Sequence, residues 1–405
     1  MPSWKRNVFA VATASFVGFT GFTLVMPFLP LYFQQLGVTD VGEVALWSGL
    51  SLGVTPAMTA LLAPFWGRLS DRFGRKIMVE RSLVSFIFVM GGMAYVSSAW
   101  QVFALRAVQG LFAGYGALAL TMAAESAPRE RTAYAIGVVQ TAQRLGPAIG
   151  PIIGGLVAQL VGLRRAFLVT ACFYVAAIVL VFFTYDERLV HHANPHLRKT
   201  RVTFRSVLAF ENFILLMAVV FGLQFVDRSF GPVLPLYLAQ LGAPMDRVPL
   251  IAGILFSIAA ATGALGNQLC GWLLRRTSPR AVIAGSAAVG AAGALVYAVA
   301  PQQGWLFLAT PLFGVAMGTA TTSTYTAASA VMPSMARGAG FGLLTTASLI
   351  GVALSPIMSG ILGATSIRAV FLLDLFALIA LAVMVSRLMV VAPLEKPTTP
   401  APEEI

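Results

Sequence analysis

Charge is what this chain of 405 residues has least of: Asp, Glu, Lys and Arg make up 10% of it, against 58% hydrophobic residues. Its mean hydropathy is +0.84. A water-facing surface needs about a quarter charged residues, so composition excludes an ordinary soluble domain. Cysteine is almost missing. Cys172 and Cys270 both lie in apolar runs and read as small core residues, not as a disulfide or metal pair. The three histidines, His191, His192 and His196, fall in one polar stretch without other ligands, and read as filler of a solvated loop. No Walker or dinucleotide spacing occurs, and no segment between apolar runs has room for a catalytic motif. We therefore expect neither an enzyme nor a cofactor.

What is present is length without charge. Leu83–Gln101 and Ala281–Pro301 contain no ionised side chain, and each is long enough to cross a ~30 Å hydrocarbon core as a helix. A barrel would instead show short alternating segments. The first apolar run follows Lys5 and Arg6 and continues to about Tyr32, too long for a signal h-region of about 7–15 residues, so it reads as an uncleaved span. Twelve spans are predicted: 8–33, 45–66, 77–97, 101–123, 134–158, 165–185, 208–238, 249–272, 281–300, 305–330, 339–363 and 369–390. With both termini cytoplasmic, 20 Lys and Arg residues fall on the cytoplasmic side. Four lie outside (Arg164, Arg165, Arg247, Arg368) and three within spans, which accounts for all 27. That bias fixes topology and explains the net charge of +12 without a nucleic-acid partner.

The chain also repeats itself. A shift of 205 lays Pro27, Leu29, Pro30, Leu31, Tyr32, Gln35, Leu36 and Gly37 on Pro232, Leu234, Pro235, Leu236, Tyr237, Gln240, Leu241 and Gly242. The same shift aligns Pro128 with Pro333, Gly137 with Gly342, Gly146 with Gly351, Pro151 with Pro356 and Gly155 with Gly360. The expected organisation is an N-terminal six-helix half (1–185), a basic cytoplasmic linker (186–207), a C-terminal six-helix half (208–391) and a short tail (392–405). The fold class is all-α membrane protein, twelve transmembrane helices in two pseudo-symmetric halves. Parallel repeats of this kind are one architecture in which secondary transporters hold substrate near the midplane between halves.

Three motifs carry a family resemblance. "GRLSDRFGRK" at 67–76 is a tight turn between spans 2 and 3, with Gly67 and Gly74 permitting close backbone approach. Asp71 is placed there to pair with an arginine. "GVVQTAQRLGPAIGPIIGG" spaces Gly137, Gly146, Gly150, Pro151, Gly154 and Gly155 so that Gly146, Gly150 and Gly154 form a bare stripe for a second helix. Pro151 removes a backbone donor and is expected to bend span 5 there. "LRAVQGLFAG" at 105–114 sets Arg106, Gln109 and Gly110 inside span 4. Over essentially the whole chain, more weakly after residue 240, these features resemble the major facilitator superfamily, and the span 5 pattern resembles its drug/proton antiporter branch. The resemblance implies the twelve-helix fold and a cytoplasmic gate made by Asp71, Arg72, Arg75 and Glu125 about Gly67 and Gly74. It gives Arg106 a part in proton coupling; snorkelling of its long stem toward water is the alternative. The turn at 271–280 has Arg275 where Asp71 would be, so that half of the latch is degenerate.

The other ionisable residues well inside the spans are Arg144, Asp227, Arg228 and Asp374. Asp227, near the middle of span 7 with no counterpart in span 1, is the expected proton carrier, with Arg106, Arg144 and Arg228 as coupling partners. Asp374, near the periplasmic end of span 12 and by the resemblance in the outer layer, is expected to be structural. By the resemblance, spans 1, 4, 7 and 10 line the cavity. Gln109, Gln140, Gln143, Gln224 and Tyr325 are the expected substrate contacts, although span 10 hydroxyls can equally bond their own helix. The expected activity is export of hydrophobic or amphipathic drugs in exchange for protons by a monomer in the bacterial inner membrane. The partners are thus small molecules, protons and lipid. Export of one metabolite, lipid or sugar is the alternative, and a non-transporting receptor on the same scaffold is a third.

Overall fold

The computed structural model describes residues 3–128, 131–186, 207–333 and 336–390, and its regular secondary structure is helical. The linker with its three histidines and the tail from residue 391 lie outside the described residues, as does the side chain of Asp71. Nine spans are single helices: span 2 (Val41–Phe73), span 3 (Arg75–Met93), span 5 (Thr132–Val161), span 6 (Leu163–Thr184), span 8 (Val248–Leu274), span 9 (Pro279–Val299), span 10 (Gly304–Val331), span 11 (Arg337–Thr365) and span 12 (Ile367–Leu388). Three are broken in two: span 1 (Ser3–Leu24, Leu29–Gln35), span 4 (Ala99–Phe112, Tyr115–Ser126) and span 7 (Phe213–Arg228, Phe230–Gln240). Eleven of the twelve are long and apolar enough to cross a membrane on those grounds alone. The exception is span 3, which opens with Arg75, Lys76, Glu80 and Arg81 in its first two turns.

The breaks have identifiable causes. In span 7, Pro232 has no N–H for the carbonyl of Arg228 one turn back, and its ring crowds that carbonyl, so the helix interrupts at Ser229. Pro27 and Pro30 do the same to span 1 over 25–28. Span 4 breaks at Ala113–Gly114, where Gly114 takes φ 113°, a conformation that glycine adopts without steric penalty. The carbonyls freed at that break do not go unsatisfied in the apolar interior. Trp66 Nε1 donates to Leu111 O at 2.7 Å and Arg81 Nη2 to Phe112 O at 3.0 Å. Arg81 meanwhile stacks on the Trp66 ring, 3.5 Å from its centroid. Span 5 runs as one uninterrupted helix through both Pro147 and Pro151.

Residues related by the repeat make equivalent bonds. Asn7 holds the end of span 6 by donating to Asp186 O (2.8 Å) and accepting from its N–H (3.1 Å). Asn212 holds the end of span 12 through Val390 in the same way, at 2.9 Å both ways. Tyr32 donates to Met93 O at 2.5 Å and Tyr237 to Tyr297 O at 2.7 Å. Arg164 caps Ala94 O, and Arg368 caps Ala300 O. Each such bond contributes about 1 kcal/mol net. Around the two tyrosines sit aromatic clusters. Phe167 packs 4.8 Å from Tyr32, and Phe371 packs 5.0 Å from Tyr237 and 5.4 Å from Phe230.

These contacts define a terminal face, carrying Asn7, Asp186, Asn212 and Val390, and a distal face, carrying the turns at Gly37 and Gly242. The close backbone contacts between the first six and last six spans lie in their distal halves. On one side Gly49 of span 2 lies against Pro356 O and Gly360 of span 11; on the other, Gly253 of span 8 lies against Pro151 O of span 5. Gly155 of span 5 returns the contact, with space beside Pro249 O for a hydrogen but not a methyl group. The short helix Leu29–Gln35 of span 1 also packs on Phe230–Gln240 of span 7.

Candidate functional site

The motif glycines of span 5 act as a bed for span 1. A Cβ would fall 2.8 Å from Thr20 N at Gly146, 2.2 Å from Thr23 Oγ1 at Gly150 and 1.8 Å from Leu24 O at Gly154. So the second helix expected from the bare stripe is span 1, seated where its own proline break begins. Gly155 turns instead to the other half, and Gly137 has nothing within 4 Å and takes no part in the contact.

Arg106 lies in the interior of the first six spans, 2% exposed. Its Nη1 donates to Gln109 Oε1 at 2.9 Å, while Nε, Nη2 and Gln109 Nε2 have no partner among the described residues. Thr55 Oγ1 donates to the Arg106 carbonyl, and Gly110 lets span 2 approach at Thr55 O. Burial on this scale rules out snorkelling. A buried guanidinium lacking a carboxylate is a costly arrangement, of order several kcal/mol, and a costly group that persists points to function.

Asp227 and Arg228 are neighbours in sequence and in space: Arg228 Nε is 3.4 Å from Asp227 Oδ2. Their side chains are 42% and 40% exposed, so this pair is half-solvated, unlike Arg106. One turn before Asp227, Gln224 Nε2 donates to Ser348 Oγ of span 11 at 2.8 Å, and Ser348 also bonds the Tyr325 hydroxyl of span 10. The sequence therefore marked Gln224 and Tyr325 at the two ends of one polar chain and missed Ser348 between them.

On the other side, Arg144 of span 5 reaches across to Asn267 of span 8. Arginine only donates, so the amide oxygen of Asn267 must face it. In that orientation Oδ1 accepts from Arg144 Nη1 at 2.7 Å, and the amide nitrogen donates to Gly318 O and Thr322 Oγ1. Asn267 was not singled out from the sequence; the adjacent amides Asn267 and Gln268 in the apolar run 248–274 were the available signal. Gln140 is exposed on span 5, and Gln143 Nε2 donates to Gly116 O at 2.9 Å.

At the terminal face, Arg75 Nη2 lies 2.8 Å from Glu125 Oε1, joining spans 3 and 4. Gly74 takes φ 90° as the single residue between spans 2 and 3, and Arg72 lies over the Phe73 ring. Asp374 does not sit in a lipid-side layer. It is fully buried, with Oδ2 2.6 Å from Ser229 Oγ at the break of span 7.

Twelve helices in two similar halves, with scarce ionisable groups at the broken spans, define a multi-pass membrane transporter. The chain belongs to the Major Facilitator Superfamily, whose family model matches residues 11–334 and 249–404. Multidrug resistance protein MdtG of Proteus mirabilis is 32% identical over 281 residues, 69% of this chain and 70% of that protein. The Multi-drug resistance efflux pump PmrA homolog of Lactococcus lactis subsp. lactis is 33% identical over 271 residues, 67% of each chain. Among solved structures, a bacterial homolog of the human lysosomal transporter Spinster, inward-facing and occupied, superposes with TM-score 0.81. It has 15% identity, covering 95% of this chain and 96% of that one. A point mutant of the nucleoside transporter NupG gives TM-score 0.72 at 16% identity, covering 93% and 98%. At such identities the structures support the fold alone.

Proposed function

We propose that the protein exports amphipathic or hydrophobic drugs in exchange for protons, alternating access between two faces of the inner membrane. The observation that carries this reading is the kinship with multidrug efflux proteins over two thirds of the chain, combined with a glycine bed that seats span 1 at its break. With the termini cytoplasmic, the glycine contacts at the distal face close the periplasmic side, and the cavity opens to the cytoplasm. Substrate enters among Gln140, Gln143, Gln224 and Tyr325, where few fixed polar groups orient it and apolar side chains repack around varied ligands. Asp227 is the exchangeable proton carrier. It is half-solvated, so water can reach it, and Arg228 beside it offers a counter-charge when the proton leaves. Arg106, Arg144 and Arg228 are the coupling cations. Arg75, Glu125 and Arg72 belong with Asp71 to the gate that closes the opposite side.

Replacing Asp227 with Asn and following substrate-induced proton release from proteoliposomes tests the reading. Loss of release with retained drug binding is expected; unchanged release would exclude Asp227 as carrier. A compound panel in a pump-deficient host separates multidrug export, which gives resistance to several unrelated drugs, from export of one metabolite.

A further inference from the structure

The hydrogen bonds at Ser229 cannot all be drawn with Asp374 ionised. Ser229 Oγ lies 2.9 Å from Val226 O and 2.6 Å from Asp374 Oδ2, both in hydrogen-bonding geometry. A serine hydroxyl has one proton to give, whereas a carbonyl and a carboxylate can only accept. If the hydroxyl serves Val226, a proton must come from Asp374; if it serves Asp374, the bond to Val226 is lost. Burial decides between these. Asp374 is 0% exposed and Ser229 1% exposed, and Asp374 Oδ1 has no partner among the described residues. A charge held there by one hydroxyl would be far more costly than a neutral acid that donates one good bond.

The charged and titratable groups on the surrounding helices are otherwise engaged. Arg228 of span 7 is turned to Asp227. Tyr237 donates to Tyr297 O, and the Tyr297 hydroxyl of span 9 is bonded to Thr310. On span 12 itself Arg368 caps Ala300 O, and Arg387 lies in the last turn; Arg280 of span 9 bonds Ser386 O near that far end. Span 11 presents Ser359, whose hydroxyl donates to the backbone carbonyl of the same Ser229.

The geometry points to Asp374 as a second proton-binding site, a carboxylic acid whose O–H donates to Ser229 Oγ, which relays the bond to Val226 O. The relay ends in the interruption of span 7, the helix whose distal part packs on spans 1 and 2 where the two halves close. Moving Ser229 takes away the acceptor that this proton has among the described residues, so straightening or swinging span 7 releases it, and removing the proton breaks the relay at the hinge. The site's use in transport rests on the proton antiport proposed above; its protonation does not.

Infrared difference spectroscopy of the purified full-length protein tests protonation directly. Wild type minus Asp374→Asn is expected to show a carboxylic-acid C=O band, and Ser229→Ala is expected to move that band to higher frequency. The Asn amide can donate to Ser229 Oγ as the acid does, so the variant keeps the bond that holds the hinge. Carboxylate bands in place of the acid band would overturn the assignment. In proteoliposomes Asp374→Asn should retain drug counterflow while gradient-driven accumulation falls to the level seen without a gradient; full retention of gradient-driven accumulation would overturn the hinge role. If wild type itself moves no protons with drug, the antiport reading fails while the infrared result still stands or falls alone.

Discussion

Thr310 stands in the second half where the first half has Arg106, and Thr170 stands in the first half where the second has Asp374. The pairing follows from a shift of 204 in these spans. Gly110 sits against Thr55 O as Gly314 sits against Ala259 O, and Phe167 packs on Tyr32 as Phe371 packs on Tyr237. Among the described residues each half thus buries one side chain of the Asp, Glu, Lys and Arg group, and its twin replaces it with a threonine bonded to its own helix, Thr170 to Ala166 O and Thr310 to Leu306 O. The same contrast runs along the helix that seats the broken span. Gly150 and Gly154 let span 1 touch span 5 by having no side chain. Their counterparts Ser355 and Ser359 instead donate to the carbonyls of Phe225 and Ser229 on span 7. Span 1 is held by contact and span 7 by hydrogen bonds. The frame is duplicated, whereas the buried guanidinium of Arg106 and the buried carboxyl of Asp374 are not.

The largest effect expected from probing this contrast is at Gly154. A methyl group there meets Leu24 O head-on, so Gly154→Ala is expected to cost about 1–3 kcal/mol through overpacking and to abolish transport. Ser359→Ala removes a bond without adding bulk and should cost about 1 kcal/mol; thermal unfolding of the two purified variants in one detergent gives the ranking. Asn7→Ala and Asn212→Ala should each cost about 1–2 kcal/mol through two lost backbone bonds, and by equal amounts if the frame is symmetric. Unequal shifts in melting temperature would break the symmetry argument. The smallest effect belongs to Gly137→Ala. With open space around it, stability should stay within about 0.5 kcal/mol of wild type, and drug resistance in cells should be unchanged.

Much of this frame was legible in the sequence because it is written twice. The shift of 205 marks the two proline breaks and the left-handed turns at Gly37 and Gly242, and it would have paired Asn7 with Asn212 had polar residues been compared along with glycine and proline. Asp227 stood out because the repeat does not explain it. Arg75 and Glu125, joined only through the family resemblance, lie at ion-pair distance. The contact of Asp374 was not legible for a physical reason. Its partner Ser229 lies 145 residues away, and the register between halves slips by one in spans 4 and 6. A fixed shift therefore sets Val169 rather than Thr170 opposite Asp374. Arg81 was not singled out, because nothing local reveals that the break in span 4 leaves the Phe112 carbonyl for it to cap. Distances of this kind become readable only once helices that are remote in sequence have packed.

Removing the asymmetry tests its importance most directly. The double variant Arg106→Thr with Asp374→Thr puts in each half the residue its twin already uses, and it can be reconstituted beside wild type with drug accumulation followed under an imposed proton gradient. The account predicts a folded protein with a melting temperature close to wild type and no gradient-driven accumulation. Accumulation at the wild-type rate in a folded double variant would contradict it.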